Sequence, residues 1–119
     1  MQEINLENLK QLNGMVVLCY ENERPFQGLF GQLDWRFNGH FTSLLKKQIL
    51  TGRKGEVLYA PLLWNDKTFH FILIGAGLLP SSGVRTFSPE FIELGHKRIH
   101  ELKLTNMGME GAQAWTLIN

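Results

Sequence analysis

Hydrophobic residues follow two different spacings along the chain, and these spacings predict where strands and helices lie. The run Gly14–Tyr20 is short and continuously apolar, which is typical of a strand buried on both faces. Two more apolar runs, residues 56–64 and 68–74, are separated by the turn-forming residues 65–67 and predict a pair of strands, with a hairpin as one arrangement. The second run is apolar on both faces, so we expect it to lie centrally in the sheet.

Two segments have the three-to-four-residue spacing of a helix face. The first is predicted from about residue 28 to about residue 48, with a kink or close backbone contact at Gly39, because glycine disfavours a helix interior. The second is predicted over about residues 89–104, after Ser88 as the N-cap and with a proline in its first turn. The side chains of the first helix expected to pack on the sheet are Phe30, Leu33, Trp35, Phe37, Phe41 and Leu44.

The end of the chain completes the predicted order of elements. Gly108 and Gly111 are interpreted as a break before a last strand over Ala114–Ile118. The order strand, helix, two strands, helix, strand predicts the α/β class, as a three-layer sandwich with a mixed central sheet flanked by helices. Because 119 residues suit one ordinary domain, we expect residues 1–119 to form a single domain.

The amino-acid composition limits the classes of partner that this chain is expected to bind. Apolar residues make up 44% of the chain and charged residues 19%, as in globular proteins. Twelve Lys and Arg against eleven Asp and Glu give a net charge of +1, so no overall field favours nucleic acid, and no such partner is predicted. The longest apolar stretch, residues 71–79, is too short to cross a bilayer, so no membrane partner is expected. The single cysteine, Cys19, favours a cytoplasmic location.

One segment resembles the start of an anion-binding turn. Glycines directly after a predicted strand let backbone amides approach a phosphate. Against this, residues 78–80 are Leu-Leu-Pro, and the full dinucleotide-binding spacing is absent, so a tight strand exit is the simpler interpretation. The candidate ligand-binding residues are Gly75, Ala76, Gly77, Ser81, Ser82 and Gly83.

Other candidate sites are weaker. His96 and His100 have the four-residue spacing of a helical metal site, with Glu93 as a third ligand, but Lys97 and Arg98 lie between them, and no metal is predicted. The serines lack the setting of a catalytic nucleophile. A cationic cluster fits a solvated helix end, with a local nucleic-acid contact as the alternative: Lys46, Lys47, Arg53 and Lys54.

The sequence ERPFQGLFGQLDWRFNGH over residues 23–40, followed by Ser43-Leu44-Leu45 and Gly52-Arg53-Lys54-Gly55-Glu56, resembles the N-terminal domain of the cytosolic leucyl aminopeptidases. The strand that ends Ile74-Gly75-Ala76-Gly77 is similar as well. The resemblance covers about residues 15–102. It implies a macro-like α/β domain, which in these hexameric enzymes precedes a larger metal-dependent peptidase domain.

The same resemblance sets the functional expectations. The family's two-metal motif, asparagine-threonine-aspartate-alanine-glutamate-glycine-arginine, does not occur in this sequence, so neither catalytic residues nor a cofactor are predicted, and the chain is not expected to be an enzyme. In the family this domain contributes to assembly and regulation, and some members contact DNA. We therefore expect a non-catalytic, stand-alone domain that binds a protein partner or forms a homo-oligomer. The alternatives are a macro-like module that binds a nucleotide or ADP-ribose, and an aminopeptidase remnant that acts with a separate catalytic chain.

Overall fold

The computed structural model describes residues 2–3, 11–23, 28–64, 66–82, 88–110 and 114–118. Within these residues, three pairs of strands are separated along the chain by helices, and all the strands belong to one sheet. The strands are β1 (Gln2–Glu3), β2 (Gly14–Tyr20), β3 (Val57–Trp64), β4 (Lys67–Gly77), β5 (Met107–Glu110) and β6 (Ala114–Ile118), and the helices are α1 (Gly28–Arg36), α2 (His40–Lys46) and α3 (Pro89–Glu101). All four predicted strands are confirmed, with small differences at their ends.

The strands form one mixed sheet in the order β1-β6-β5-β2-β4-β3. The central strand β2 pairs in parallel with both β4 and β5, whereas all the other pairs are antiparallel. Strands β3 and β4 form the predicted hairpin, in which Trp64 lies opposite Lys67. Strand β4 has β2 on one side and β3 on the other, so it lies inside the sheet as predicted.

Alternate side chains of β2 enter two separate cores. Met15, Val17 and Cys19 pack with the aromatic side chains of α1 and α2, and the intervening side chains of β2 pack with those of α3. All seven residues of β2 are buried, because helices cover both faces of the strand. The predicted three-layer α/β sandwich is confirmed.

The single long helix predicted over residues 28–48 is wrong, because the chain leaves the helical path at Asn38 and Gly39. Both residues have a left-handed backbone, with φ of 56° and 76°. The amide of Asn38 donates to the carbonyl of Trp35 at 3.1 Å, and the amide of Gly39 donates to the carbonyl of Asp34 at 2.7 Å. This is the Schellman pattern that ends a helix, so Gly39 separates two helices instead of bending one.

Asp34 joins the two helices across this break. Gly39 occupies the N-cap of α2 and has no side chain to accept a hydrogen bond from the first turn. The carboxylate of Asp34 takes that role, accepting from the Thr42 amide at 3.0 Å and from the Thr42 hydroxyl at 2.5 Å. The angle between α1 and α2 is therefore fixed by a hydrogen-bonded carboxylate.

The expected packing of the first helix face is confirmed except at Trp35. Phe30, Leu33 and Phe41 are fully buried, and Phe37 and Leu44 pack partly buried against the same core. Trp35 is 80% exposed. It lies two positions after Leu33, about 200° around the helix, so it points away when Leu33 faces the sheet.

The predicted break is wrong at Gly108, which lies in the buried strand β5, parallel to β2, whereas Gly111 lies outside the described residues. Gly108 pairs with Met15 on one side and with Leu117 on the other. The helix before it, α3, begins at Pro89 after Ser88 as predicted, but ends at Glu101, earlier than the predicted residue 104. Sequence periodicity missed β5 because four residues carry too little pattern.

Candidate functional site

The carboxyl ends of β2 and β4 mark the point where the chain changes sides of the sheet. After β2 the chain passes to α1 and α2, which pack on one face, and after β4 it passes to α3 on the opposite face. In α/β proteins, ligands commonly bind outside the strand ends at such a switch point. The predicted residues Gly75, Ala76 and Gly77 end β4 at this switch point. Ser81 and Ser82 are exposed in the turn beyond, and Gly83 lies outside the described residues.

A loop over residues 51–56 lies across the end of β4. The Gly75 amide donates to the Glu56 carbonyl at 2.7 Å, and the Gly77 amide donates to the Gly52 carbonyl at 2.9 Å. In return, the Gly55 amide donates to the Gly75 carbonyl at 3.0 Å. Two of the amides proposed from the sequence for anion binding therefore donate to backbone carbonyls of the chain itself.

Close backbone approach explains why glycine occupies two positions in this region. A Cβ atom at Gly75 would lie 1.9 Å from the Arg53 carbonyl oxygen, and one at Gly52 would lie 2.8 Å from the Glu21 amide nitrogen. Gly52 also has a φ of 85°, which other residues rarely adopt. The loop can lie against the strand ends only because these side chains are absent.

Glu56 organises the loop from within. Its carboxylate accepts from the Thr51 hydroxyl at 2.6 Å, the Thr51 amide at 3.0 Å and the Gly52 amide at 3.1 Å. Burial raises the pKa of Glu56, but these hydrogen bonds and the nearby Arg53 charge outweigh that effect and hold its pKa below the usual 4.5. The carboxylate thus stabilises the folded loop above pH 4.5, and that stabilisation is lost as the pH falls through the lowered pKa.

Polar contacts connect the segments around the switch point. Lys54 forms an ion pair of 3.2 Å with Glu90 in the first turn of α3, although both side chains are largely exposed. The amide of Leu79 donates to the Asn22 side-chain carbonyl at 2.7 Å, which links the segments after β2 and β4. The cationic side chain of Arg53 is exposed. This arrangement offers a polar surface with a hydroxyl-bearing turn beside it.

Two buried carboxylates were missed by the sequence analysis. Glu23 lies just after β2, and Glu110 ends β5. Backbone pairing between β2 and β5 ends at Val16 and Met109, and the Glu110 carboxylate then accepts from the Leu18 amide at 3.0 Å. Glu110 extends the contact between these strands beyond their backbone ladder. No sequence signal distinguished it from a surface glutamate.

The histidine candidates form no metal site in the described residues, and the cationic cluster is divided between two places. His96 and His100 are exposed on α3, and no three His, Cys, Asp or Glu side chains of the described residues are close enough to hold a metal ion. His40 packs edge-on against Phe41, with 5.7 Å between the ring centroids. The His70 ring is hydrogen-bonded to the Tyr59 hydroxyl at 2.6 Å. Of the cationic cluster, Lys46 and Lys47 are exposed at the end of α2, and Arg53 and Lys54 lie in the loop.

Trp35 is the surface feature whose significance the sequence analysis missed. It is the most exposed of the described large apolar side chains. The next residue, Arg36, places its guanidinium carbon 5.7 Å from the centre of the buried Trp64 ring, which anchors the end of α1 to the sheet. Two positions of separation from Leu33 were enough to place Trp35 on the solvent side of α1.

Comparison with known proteins finds structural similarity but no match to a family model or a curated protein. Among solved structures, the chain is similar to a tomato leucine aminopeptidase mutant, with a TM-score of 0.55 and 17% sequence identity. The match covers 82% of this chain and 20% of the aminopeptidase chain, so this chain spans about a fifth of that protein's length. The likeness establishes a shared fold, in agreement with the predicted resemblance to one domain of such enzymes.

No helix in the described part of the chain combines the length and apolar character needed to span a membrane.

Proposed function

We propose that this chain is a non-catalytic domain that acts in protein assembly or regulation, by binding a partner protein or a second copy of itself. The observation that carries the proposal is Trp35, 80% of whose surface is exposed on a helix that is otherwise well anchored. Tryptophan is enriched among the residues that dominate binding energy at protein interfaces. The aminopeptidase-like fold supports the same reading, because the resembled domain contributes to assembly.

The anchoring of α1 supports a binding role for Trp35. Leu33 and Phe30 fix one side of the helix in the core, and Asp34 fixes its end against α2. A rigid helix holds the indole in one place before binding, so little conformational entropy is lost when a partner covers it. Cys19 is buried and is the single cysteine of the sequence, which supports the expected cytoplasmic location.

Sedimentation over a range of concentrations, combined with affinity capture from the source cells, tests this proposal. We expect either self-association or a specific captured protein with the wild-type chain, and loss of that association in Trp35→Ser. Leu117→Ser is the matched control, because Leu117 is 54% exposed on β6, away from α1. A chain that stays monomeric and captures the same proteins with or without Trp35 contradicts the proposal.

A second candidate function is binding of a nucleotide or of ADP-ribose at residues 75–83. Its support is the position of this segment at the switch point, beside the exposed Arg53 and the exposed serines. The Gly75 and Gly77 amides are already hydrogen-bonded, so we expect weak binding at most. Calorimetry with ADP-ribose tests it: a micromolar complex that is lost in Gly77→Leu but retained in Lys47→Gln would make this the better account.

An assay of peptidase activity provides a separate test of the hypothesis that the chain is non-catalytic. A two-metal peptidase needs several fixed ligands, and the described residues contain no such cluster. We expect no turnover of leucine-linked chromogenic substrates by the purified chain with added zinc or manganese. Metal-dependent turnover that persists after repurification and disappears in a His96→Ala, His100→Ala double variant would overturn the proposal.

A further inference from the structure

The amino edge of the parallel strands carries a concave surface, at the opposite end of α3 from the switch point. Helix α3 leads from the carboxyl end of β4 to the amino end of β5, so its last turn lies at that edge. An open groove of about 550 Å³ is found there. Its volume lies within the range typical of small-molecule sites. The groove is lined by His96, Ile99, His100, Lys103, Leu104 and Thr105.

Backbone contacts fix the walls of this groove. The Lys103 amide donates to the His100 carbonyl at 3.1 Å, and the Leu104 amide donates to the Ile99 carbonyl at 3.0 Å. These bonds form a Schellman end, so these two carbonyls of the helix end already have donors. On the other wall, the Thr105 carbonyl accepts from the Asn13 side chain at 2.7 Å. The groove is therefore held in shape without a ligand.

The groove combines an apolar base with nitrogen donors. Ile99 is buried and Leu104 is half-buried, while His96, His100 and Lys103 are exposed around them. No carboxylate is among the lining residues. Within the described part of the chain, the side chains of these two histidines and the lysine form no hydrogen bond or ion pair. The donors are therefore available to a ligand.

We propose that this groove binds a small organic phosphate, a molecule with an apolar body and one phosphate group. The Lys103 ammonium carries three N–H donors and a positive charge, and an imidazole carries at least one N–H donor in either protonation state. Three donor side chains suit the three terminal oxygens of a phosphate monoester. The apolar body contacts Ile99 and Leu104. A metal ion is disfavoured, because the lining offers only two histidine ligands, adds no carboxylate or thiolate, and places the positive charge of Lys103 beside them.

Phenyl phosphate is the probe for this proposal, with phenol and inorganic phosphate as the two half-probes. In an NMR titration of the full chain, we expect saturable shifts of the Leu104 and Thr105 amides with phenyl phosphate, and weaker binding of either half-probe. Lys103→Gln and His100→Gln should each weaken phenyl phosphate binding about fivefold, the scale of one charge-assisted contact at an exposed site.

Lys97→Gln is the matched control, because Lys97 is an exposed lysine on α3 outside the groove lining. It should bind phenyl phosphate as tightly as the wild type. The proposal is overturned if phenyl phosphate causes no shift at millimolar concentration, if phenol binds equally well, or if Lys97→Gln weakens binding as much as Lys103→Gln. All three positions are on the surface, so the variants should fold, and melting curves verify this.

Discussion

The two helical layers cover the two faces of the sheet with different packing. One face of the sheet is covered by two short helices, α1 and α2, whose aromatic side chains interlock, with Phe41 5.0 Å from Phe30 and 5.2 Å from Phe71 between ring centroids. In the part of the chain that the structure describes, the other face is covered by helix α3. Each layer has a glycine within the segment that the sequence predicted as one helix, yet only Gly39 ends a helix.

Comparison of Gly39 with Gly95 shows which neighbouring residues a helix break requires. Gly39 follows Asn38, a residue that tolerates the left-handed conformation, and Asp34 is available to cap the next helix. Gly95 has no such neighbours, and it faces Val16 of β2 so closely that a Cβ atom would lie 3.2 Å from that side chain. One glycine permits a turn, and the other permits close contact between helix and sheet.

The largest expected effect concerns the aromatic layer itself. Leu33→Ala should lower the free energy of unfolding by about 2 to 5 kcal/mol, because it leaves a cavity at a fully buried site. Trp35→Ala, two positions away and exposed, should change it by less than about 0.5 kcal/mol. Urea unfolding of both variants measures the contrast. Equal losses in the two variants would mean that the assigned face of α1 is wrong.

The next effect concerns the junction between α1 and α2. Asp34→Ala removes the acceptor for the Thr42 amide and hydroxyl, so we expect a loss of about 1 to 2 kcal/mol in unfolding free energy. Thr42→Val removes the hydroxyl bond alone and should cost less. If Asp34→Ala melts like the wild type, the carboxylate does not cap α2 in solution.

Alanine substitution at the two glycines sharpens the comparison between the layers. Gly39→Ala should destabilise the chain by about 1 kcal/mol, because φ of 76° is strained for alanine although space is open. Gly95→Ala gains about 1 kcal/mol of helix propensity, but crowds Val16, so its net effect should be smaller. Thermal melts of the two variants compare them directly. A larger loss at Gly95 than at Gly39 would show that contact with the sheet outweighs backbone strain.

The smallest expected effect concerns the helix ends, where the two layers are alike. Helix α2 ends through Gln48, with φ of 60°, and α3 ends through Lys103, with φ of 56°. Gln48→Gly and Lys103→Gly should each raise the unfolding free energy by about 0.5 kcal/mol, because glycine adopts this conformation without strain. Urea unfolding should give gains of similar size. A gain at only one position would mean that side-chain contacts at the other offset the strain.

The sequence predicted much of the fold and less of the candidate site. Continuous apolar runs were sufficient to predict β2 and the hairpin of β3 and β4, because a strand covered on both faces has no polar position. Of the predicted glycines, Gly75 and Gly77 lie at the end of β4. The sequence could not show that the loop over residues 51–56 accepts hydrogen bonds from the amides of these glycines. The two segments are about twenty residues apart, and their contact depends on the register of the sheet.

By itself, the sequence determined the class of fold, the strands β2, β3, β4 and β6 and the approximate extent of the helical regions, because burial imposes a spacing on apolar residues. Only the tertiary structure decided that Asp34 caps a second helix, that Trp35 faces solvent, and that four residues around Gly108 form a strand inside the sheet. Each of these depends on partners distant in the chain or on a rotation of one helix about its axis. Local periodicity contains no information about either.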